Sequence, residues 1–95
     1  MSSAGPAVSA GVTVRYWASA KAAAGTDADV VPVSGTVSVA EVVAAVCDLR
    51  GPKLAAVVAA CSVLVGEKPL GTRDPADVLV SPGDVVELLP PFAGG

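Results

Sequence analysis

The chain has 95 residues, 53% of them hydrophobic but only 3% aromatic, and a formal net charge of -3. This length fits one domain with a single small core, built mainly from Val, Ala and Leu. The 6 basic residues are scattered and there is no histidine, which argues against a nucleic-acid partner, a self-contained catalytic site and a typical metal site.

Residues 1–11 are small residues without periodicity, and we expect them to form a flexible lead to a domain spanning 12–95. They lack the positively charged start and the apolar segment of a signal peptide. No apolar run in the chain is long enough to cross a bilayer. We therefore expect a cytoplasmic protein without a membrane partner.

The first predicted element is a strand. Val12, Val14 and Tyr16 recur at every second position, which is typical of a strand with one buried face. Residues 19–25 can form a short helical turn that Gly25 closes. Residues 28–35 predict a second strand, and Pro32 places it at a sheet edge because proline has no backbone N–H for the ladder.

A helix comes next, and it is the clearest element of the sequence. Ser38 and Glu41 have the spacing of a capping box, and Gly51 with Pro52 predicts the end of the helix. A second short helix is predicted over 53–60. The predicted buried positions are Val39, Val42, Val43, Val46 and Leu49 in the first helix and Leu54, Val57 and Val58 in the second.

The last third of the chain alternates short extended pieces with turns. We predict a strand over 62–65, a turn over 66–69, a loop over 70–76 and a short extended piece over 77–80. Residues 81–84 have turn chemistry, and 85–89 form the closing strand. Together the elements predict an α+β fold: a mixed sheet of four to five strands, with one main helix and a short second helix on one face. The other face stays partly open as a docking surface.

Two features that could carry chemistry have simpler interpretations. Cys47 and Cys61 are far apart and form no Cys-x-x-Cys pair, so we interpret them as core thiols. The stretch GEKPLGTR at 66–73 has the glycine spacing of a phosphate-binding loop but lacks its lysine, and a proline comes where a helix should begin. We therefore interpret it as a polar loop between strands.

The remaining charges have no predicted catalytic role. Asp27 with Asp29 and Asp74 with Asp77 are predicted to lie on a solvated rim, because few apolar neighbours surround them. Arg50 lies at a helix end, where the helix dipole favours a cation.

The end of the chain, ELLPPFAGG, has a pattern of its own. Pro90 and Pro91 end the ladder of the last strand and stiffen the tail, so five further residues would reach roughly 17 Å beyond the sheet. Gly94 and Gly95 lack Cβ atoms and fit a narrow channel. Phe92 suits a pocket on a partner. The terminal carboxylate is a weak nucleophile that a second protein could activate.

Three stretches together resemble the MoaD/ThiS sulfur-carrier proteins, which are ubiquitin-like β-grasp domains. VTVRYWASAKAAAG is similar to that family's first strand and turn, SVAEVVAAV to its helix, and SPGDVVELLPPFAGG to its closing turn, strand and tail. The resemblance spans 12–95. It implies a ubiquitin-like β-grasp fold.

The resemblance also implies a chemistry in which partners supply the catalysis. Gly95 would be adenylated by an E1-like adenylyltransferase of the MoeB/ThiF type, which uses ATP and Mg. It would then become a thiocarboxylate, with sulfur from a donor such as a persulfide protein. The chain itself would bind no cofactor and would not be an enzyme on its own. The residues inserted into a partner's active site would be Pro90, Pro91, Phe92, Ala93 and Gly94.

The paired prolines resemble the MoaD branch, the small subunit of molybdopterin synthase. The partner would then be the large subunit of that enzyme, of the MoaE type, and the product would enter molybdenum cofactor biosynthesis. Two alternatives stay open: a sulfur carrier for thiamine, cysteine or tRNA thiolation, and a β-grasp interaction module that never carries sulfur.

Overall fold

The computed structural model of the chain describes residues 11–91, in which seven strands and three helices form one α+β domain. The strands are β1 (Gly11–Tyr16), β2 (Ala28–Pro32), β3 (Val37–Ser38), β4 (Ser62–Val65), β5 (Lys68–Pro69), β6 (Leu79–Val80) and β7 (Val85–Leu89). The helices are α1 (Ala18–Ala24), α2 (Val39–Arg50) and α3 (Pro52–Val58), and a 3-10 turn spans Pro75–Asp77.

Five of the strands form one mixed sheet in the order β2-β1-β7-β4-β5. Strands β1 and β7 run parallel, with Val14 opposite Val86, and the other pairs of this sheet are antiparallel. The closing strand β7 therefore lies at the centre, and β2 lies at an edge, as Pro32 predicts. The short strands β3 and β6 pair with each other in a separate two-stranded ladder.

The core lies between one face of the sheet and the helices. Val12, Val14 and Tyr16 of β1 are buried, which confirms the predicted alternation of this strand. β7 contributes Val86 and Leu88 from the same face. The other buried hydrophobic residues are Ala20, Ala24, Val39, Val42, Val46, Leu54, Leu70 and Val80.

Helix α2 begins with the predicted capping box. The Ser38 Oγ accepts from the Glu41 backbone N–H at 3.1 Å, and the Ser38 N–H donates to Glu41 Oε2 at 3.4 Å. Both bonds satisfy backbone groups that the first turn of a helix leaves without partners. Gly51 ends the helix with a φ of 97°, a left-handed value that glycine adopts without strain.

The prediction that Leu49 is buried in the apolar stripe of α2 is wrong, because this residue is 64% exposed. Helix α3 packs against α2, and its Leu54 is fully buried in the same core. Val46 and Leu54 belong to one buried cluster, and Leu49 lies outside it. Val57 and Val58 are half-buried against this core.

Several boundaries differ from the prediction. The short helical turn predicted at 19–25 is a complete helix, α1, over 18–24, so residues 11–91 contain one helix more than the main and the short second helix of the predicted fold. Strand β1 begins at Gly11, inside the predicted lead. A Cβ at this position would lie 2.6 Å from Val30 Cγ1, so the close pairing with β2 favours a glycine here. Lys68 and Pro69 pair with β4 instead of belonging to a turn. The rest of the predicted lead, 1–10, lies outside the described residues.

Candidate functional site

The strand that leads into the predicted tail is held on both sides. β7 pairs in parallel with β1 from Val85 to Leu88, and antiparallel with β4 from Val86 to Leu89. Leu88 is fully buried, and its carbonyl also accepts a hydrogen bond from the Trp17 backbone N–H at 3.2 Å. A strand with two neighbours and a buried face is a rigid base for the tail.

The turn before β7 fixes where the strand starts. The Ser81 N–H donates to Asp84 Oδ2 at 2.8 Å, and Gly83 adopts a φ of 97°. The Gly83 N–H donates to the Gly11 carbonyl at 2.9 Å, and the Thr13 N–H donates to the Asp84 carbonyl at 3.0 Å. The predicted Ser-Pro-Gly-Asp turn is thus tied directly to β1, which sets the parallel register.

Strand β7 ends at Leu89, and the two prolines lie beyond it, outside the ladder, as predicted. Pro90 is half-buried and Pro91 is exposed. The predicted site residues Phe92, Ala93, Gly94 and Gly95 lie outside the described residues. The structure therefore describes the base of the predicted tail and its first two residues.

The sheet face opposite the helices bears a polar aromatic cluster. Arg15 lies directly opposite Glu87 in the register of β1 and β7. The Trp17 indole Nε1 donates to Glu87 Oε1 at 2.9 Å, and the Arg15 guanidinium carbon lies 5.2 Å from the centre of the Trp17 ring. Sequence reasoning predicts an open face but misses this cluster, because the pairing depends on the parallel register.

A second cluster overturns the prediction that Asp29 lies on a solvated rim. Asp29 belongs to β2, and its Oδ2 accepts from the buried Tyr16 hydroxyl at 2.8 Å and from Arg50 Nε at 2.8 Å. Arg50 also donates to Oδ1, so the contact is bidentate. Arg50, to which the sequence assigns only a contact with the helix dipole, thus joins the end of α2 to an edge strand.

These contacts shift the acidity of both Asp29 and Tyr16. Hydrogen bonding from Arg50, and to a smaller extent from Tyr16, holds the pKa of Asp29 below its usual value. Burial raises the pKa of Tyr16, and the hydrogen bond to Asp29 adds to this effect. The cluster is therefore an ion pair with a neutral tyrosine and stabilises the fold.

The other acidic residues of the predicted rim have local partners or face solvent. The Lys21 ammonium lies 2.8 Å from Asp27 at the surface, and this hydrogen bond lowers the pKa of Asp27. Asp74 caps the 3-10 turn through the Ala76 N–H at 2.9 Å. Asp77 is exposed in that turn. Asp27, Asp74 and Asp77 thus lie near the surface, as predicted.

Both cysteines are free and half-buried. The Cys61 Sγ lies 3.4 Å from the Val57 carbonyl, and burial raises the pKa of both thiols. Neither has the low thiol pKa of a reactive cysteine. The stretch 66–73, predicted as a polar loop, contains a hairpin turn, the short strand β5 and then a loop, so the prediction is wrong for Lys68 and Pro69.

Among the residues that the structure describes, His, Cys, Asp and Glu form no group of three that could hold a metal ion. Within 11–91, no helix is long and apolar enough to cross a membrane.

Three solved structures share the architecture of this chain. SAMP1 from Haloferax volcanii superposes with a TM-score of 0.75 at 22% identity, over 88% of this chain and 98% of that chain. Urm1 from Trypanosoma brucei gives 0.70 at 14% identity, over 90% and 96%. A complex of subunits 1 and 2 of molybdopterin-converting factor from Helicobacter pylori 26695 gives 0.62 at 21% identity, over 88% and 97%. These likenesses show a ubiquitin-like β-grasp fold.

A comparison with curated protein sequences gives no significant match. The sequence profile of the ThiS family, in contrast, matches residues 14–95, which is most of the chain. The chain therefore has a ubiquitin-like β-grasp fold and belongs to the ThiS family.

Proposed function

We propose that this chain is a sulfur carrier and that the carboxylate of Gly95 holds the sulfur as a thiocarboxylate. The observation that supports this proposal most directly is the family match, which continues through Pro90 and Pro91 to Gly95 itself. The described structure provides a suitable base, because β7 is paired on both sides just before the prolines.

The proposed chemistry proceeds in two substitutions. A carboxylate oxygen of Gly95 attacks the α-phosphorus of ATP, and pyrophosphate leaves. A sulfur nucleophile then attacks the Gly95 carbonyl, and AMP leaves with the former carboxylate oxygen. If the sulfur comes from a persulfide protein, a thiol must reduce the acyl disulfide that forms. An E1-like adenylyltransferase of the MoeB/ThiF type would hold the ATP and Mg.

We further propose that the acceptor lies in molybdopterin synthesis. Pro90 and Pro91 support this branch, and the Helicobacter pylori structure that shares the fold is a complex of two molybdopterin-converting factor subunits. The partner of this chain would then be a large subunit of the MoaE type, whose active site receives Pro90, Pro91 and the residues after them. Thiamine, cysteine or tRNA thiolation is the alternative use of the same thiocarboxylate.

A second candidate is a protein modifier. Solved structures of small archaeal modifier protein 1 from Haloferax volcanii and Methanosarcina acetivorans share the fold at TM-scores of 0.73 and 0.75. In that case an amine of a target protein would attack the activated Gly95 carbonyl, and AMP or an intermediate thiol would leave. A β-grasp module that only binds a partner through its open sheet face would neither carry sulfur nor become attached to a target protein.

The mass of the intact chain separates these candidates. The protein is incubated with the E1-like adenylyltransferase of its own source, ATP, Mg, a sulfur donor and a mixture of lysine-containing target proteins. A sulfur carrier gains the mass of one sulfur minus one oxygen, whereas a modifier forms larger adducts with lysine-containing targets. An unchanged mass would contradict both.

Two variants control this experiment. Deletion of Gly95 should abolish the mass change while leaving the fold intact, because the described core ends with residues of β7. Deletion of residues 1–10, which precede β1, should leave the mass change unaffected. If the chain without Gly95 acquired sulfur normally, the carrier proposal would be wrong.

A further inference from the structure

The open face of the sheet contains a cleft of about 530 Å³ next to strand β7. Arg15, Trp17, Glu67, Val85 and Glu87 line it, and we call these five residues the Trp17 platform. Trp17 is 43% exposed, although burial of a large aromatic side chain would be favourable. An exposed aromatic ring inside a cleft is a feature of protein docking sites.

The Trp17 ring is already held in place. Its Nε1 donates to Glu87 Oε1 at 2.9 Å, the Arg15 guanidinium carbon lies 5.2 Å from the ring centre, and its backbone N–H donates to the Leu88 carbonyl. A partner that docks here would not need to order this side chain. Such preorganisation lowers the conformational entropy lost on binding.

The charges of the Trp17 platform are unbalanced. It holds one cation, Arg15, and two carboxylates, Glu67 and Glu87. Within residues 11–91, Glu67 forms no ion pair, and Glu87 has no side-chain hydrogen bond except that from Trp17. A guanidinium or ammonium group complements both the carboxylates and an aromatic ring.

The Trp17 platform also lies close to the start of the predicted tail. Glu87 precedes Pro90 by three residues, which corresponds to about 10 Å along an extended strand. A partner on the platform would therefore lie beside the point where the chain leaves the sheet.

We propose that the Trp17 platform docks a partner protein through an arginine or lysine side chain, which enters beside the Trp17 ring and pairs with Glu67 and Glu87. The identity of this partner as the protein that acts on Gly95 rests on the proposed function. The recognition of a basic side chain does not.

A peptide titration followed by NMR tests the recognition directly. The full chain is labelled with nitrogen-15 and titrated with a blocked Gly-Arg-Gly peptide, or with the same peptide carrying neutral citrulline in place of arginine. Trp17 is the only tryptophan, so its indole N–H gives one resolved signal. The arginine peptide should shift this signal saturably in the millimolar range, and the citrulline peptide should not.

Charge-removing variants complete the test. Glu67→Gln and Glu87→Gln should each weaken peptide binding about two- to fivefold, because an exposed ion pair is lost. Asp48→Asn removes an exposed charge from α2, on the other face of the sheet, and should leave binding unchanged.

Equal shifts with both peptides, or wild-type binding by both glutamine variants, would overturn the proposal. That result would not affect the sulfur-carrier proposal, which depends on the mass of the chain. Conversely, the chain could bind the arginine peptide specifically and yet never acquire sulfur. That result would support the docking proposal and contradict the sulfur-carrier proposal.

Discussion

Replacement of Tyr16 by Phe should destabilise the protein by removing one partly buried hydrogen bond. The Tyr16 hydroxyl donates to Asp29 Oδ2 at 2.8 Å, and the tyrosine is only 2% exposed. A hydrogen bond to a charged group contributes about 1.5–3 kcal/mol. Because Asp29 keeps its two bonds to Arg50, we expect Tyr16→Phe to lower the free energy of unfolding by about 1–2 kcal/mol. For a domain of this size, that corresponds to a fall in Tm of roughly 4–16 °C.

The size of this effect should depend on pH. Hydrogen bonds from Arg50 and Tyr16 hold the pKa of Asp29 below its unfolded value. A carboxyl with a lowered folded-state pKa stabilises the protein above its unfolded pKa, and this contribution is lost as the pH falls through the folded-state pKa. The stability difference between wild type and Tyr16→Phe should therefore be full at neutral pH and narrow below about pH 4.

Urea unfolding followed by circular dichroism, at pH 7 and at several values below pH 4, measures both effects. Thr36→Val is the matched control, since it removes a hydroxyl that bonds Ser81 Oγ at 3.1 Å on the exposed surface. This control should change the free energy of unfolding by less than about 0.5 kcal/mol. If Tyr16→Phe were as stable as the control at pH 7, the hydrogen bond between Tyr16 and Asp29 would not stabilise the fold as we describe.

Two further predictions concern packing. Gly11→Ala should lower the free energy of unfolding by about 1–3 kcal/mol, because the new Cβ would lie 2.7 Å from the Val31 backbone carbonyl oxygen. Gly35→Ala, with no atom within 4 Å of its Cβ, is the control, and equal urea midpoints for the two variants would refute the close approach. Leu88→Ala should lower the same quantity by about 2–5 kcal/mol because this side chain is fully buried. Leu49→Ala, at a position 64% exposed, should be nearly neutral in thermal unfolding, and a comparable loss would contradict the packing of α2.

Elements with a local signal could be predicted from the sequence. The capping box depends on two residues three positions apart, and both of its hydrogen bonds are present at Ser38 and Glu41. The alternation of β1 depends only on the period of a strand, and its three predicted residues are buried. The closing turn at 81–84 and the strand after it also depend on local chemistry.

Features that join distant segments could not be predicted. The contact between Asp29 and Arg50 depends on where an edge strand meets the end of a helix 21 residues away in sequence. The hydrogen bond from Trp17 to Glu87 spans 70 residues and requires the parallel pairing of the first and last strands. From the local sequence pattern such charged residues are predicted to face solvent, because their partners come close only when the sheet has formed.

The candidate site also has one part that the sequence predicts and one part that it does not. The sequence pattern of Pro90, Pro91 and the glycines predicts a tail, and the family match extends over it. The Trp17 platform, in contrast, depends on side chains from β1, β7, the hairpin turn after β4 and the residue before α1, which only the fold brings together.

The location of the transferred sulfur tests the central proposal most directly. After activation, trypsin cleavage places Cys47, Cys61 and Gly95 on three different peptides, 22–50, 54–73 and 74–95. Mass spectrometry should show one oxygen replaced by one sulfur in 74–95, in a form that survives treatment with a thiol reductant. Sulfur found instead as a reducible addition to Cys47 or Cys61, with 74–95 unchanged, would contradict the proposal that Gly95 is the carrier group.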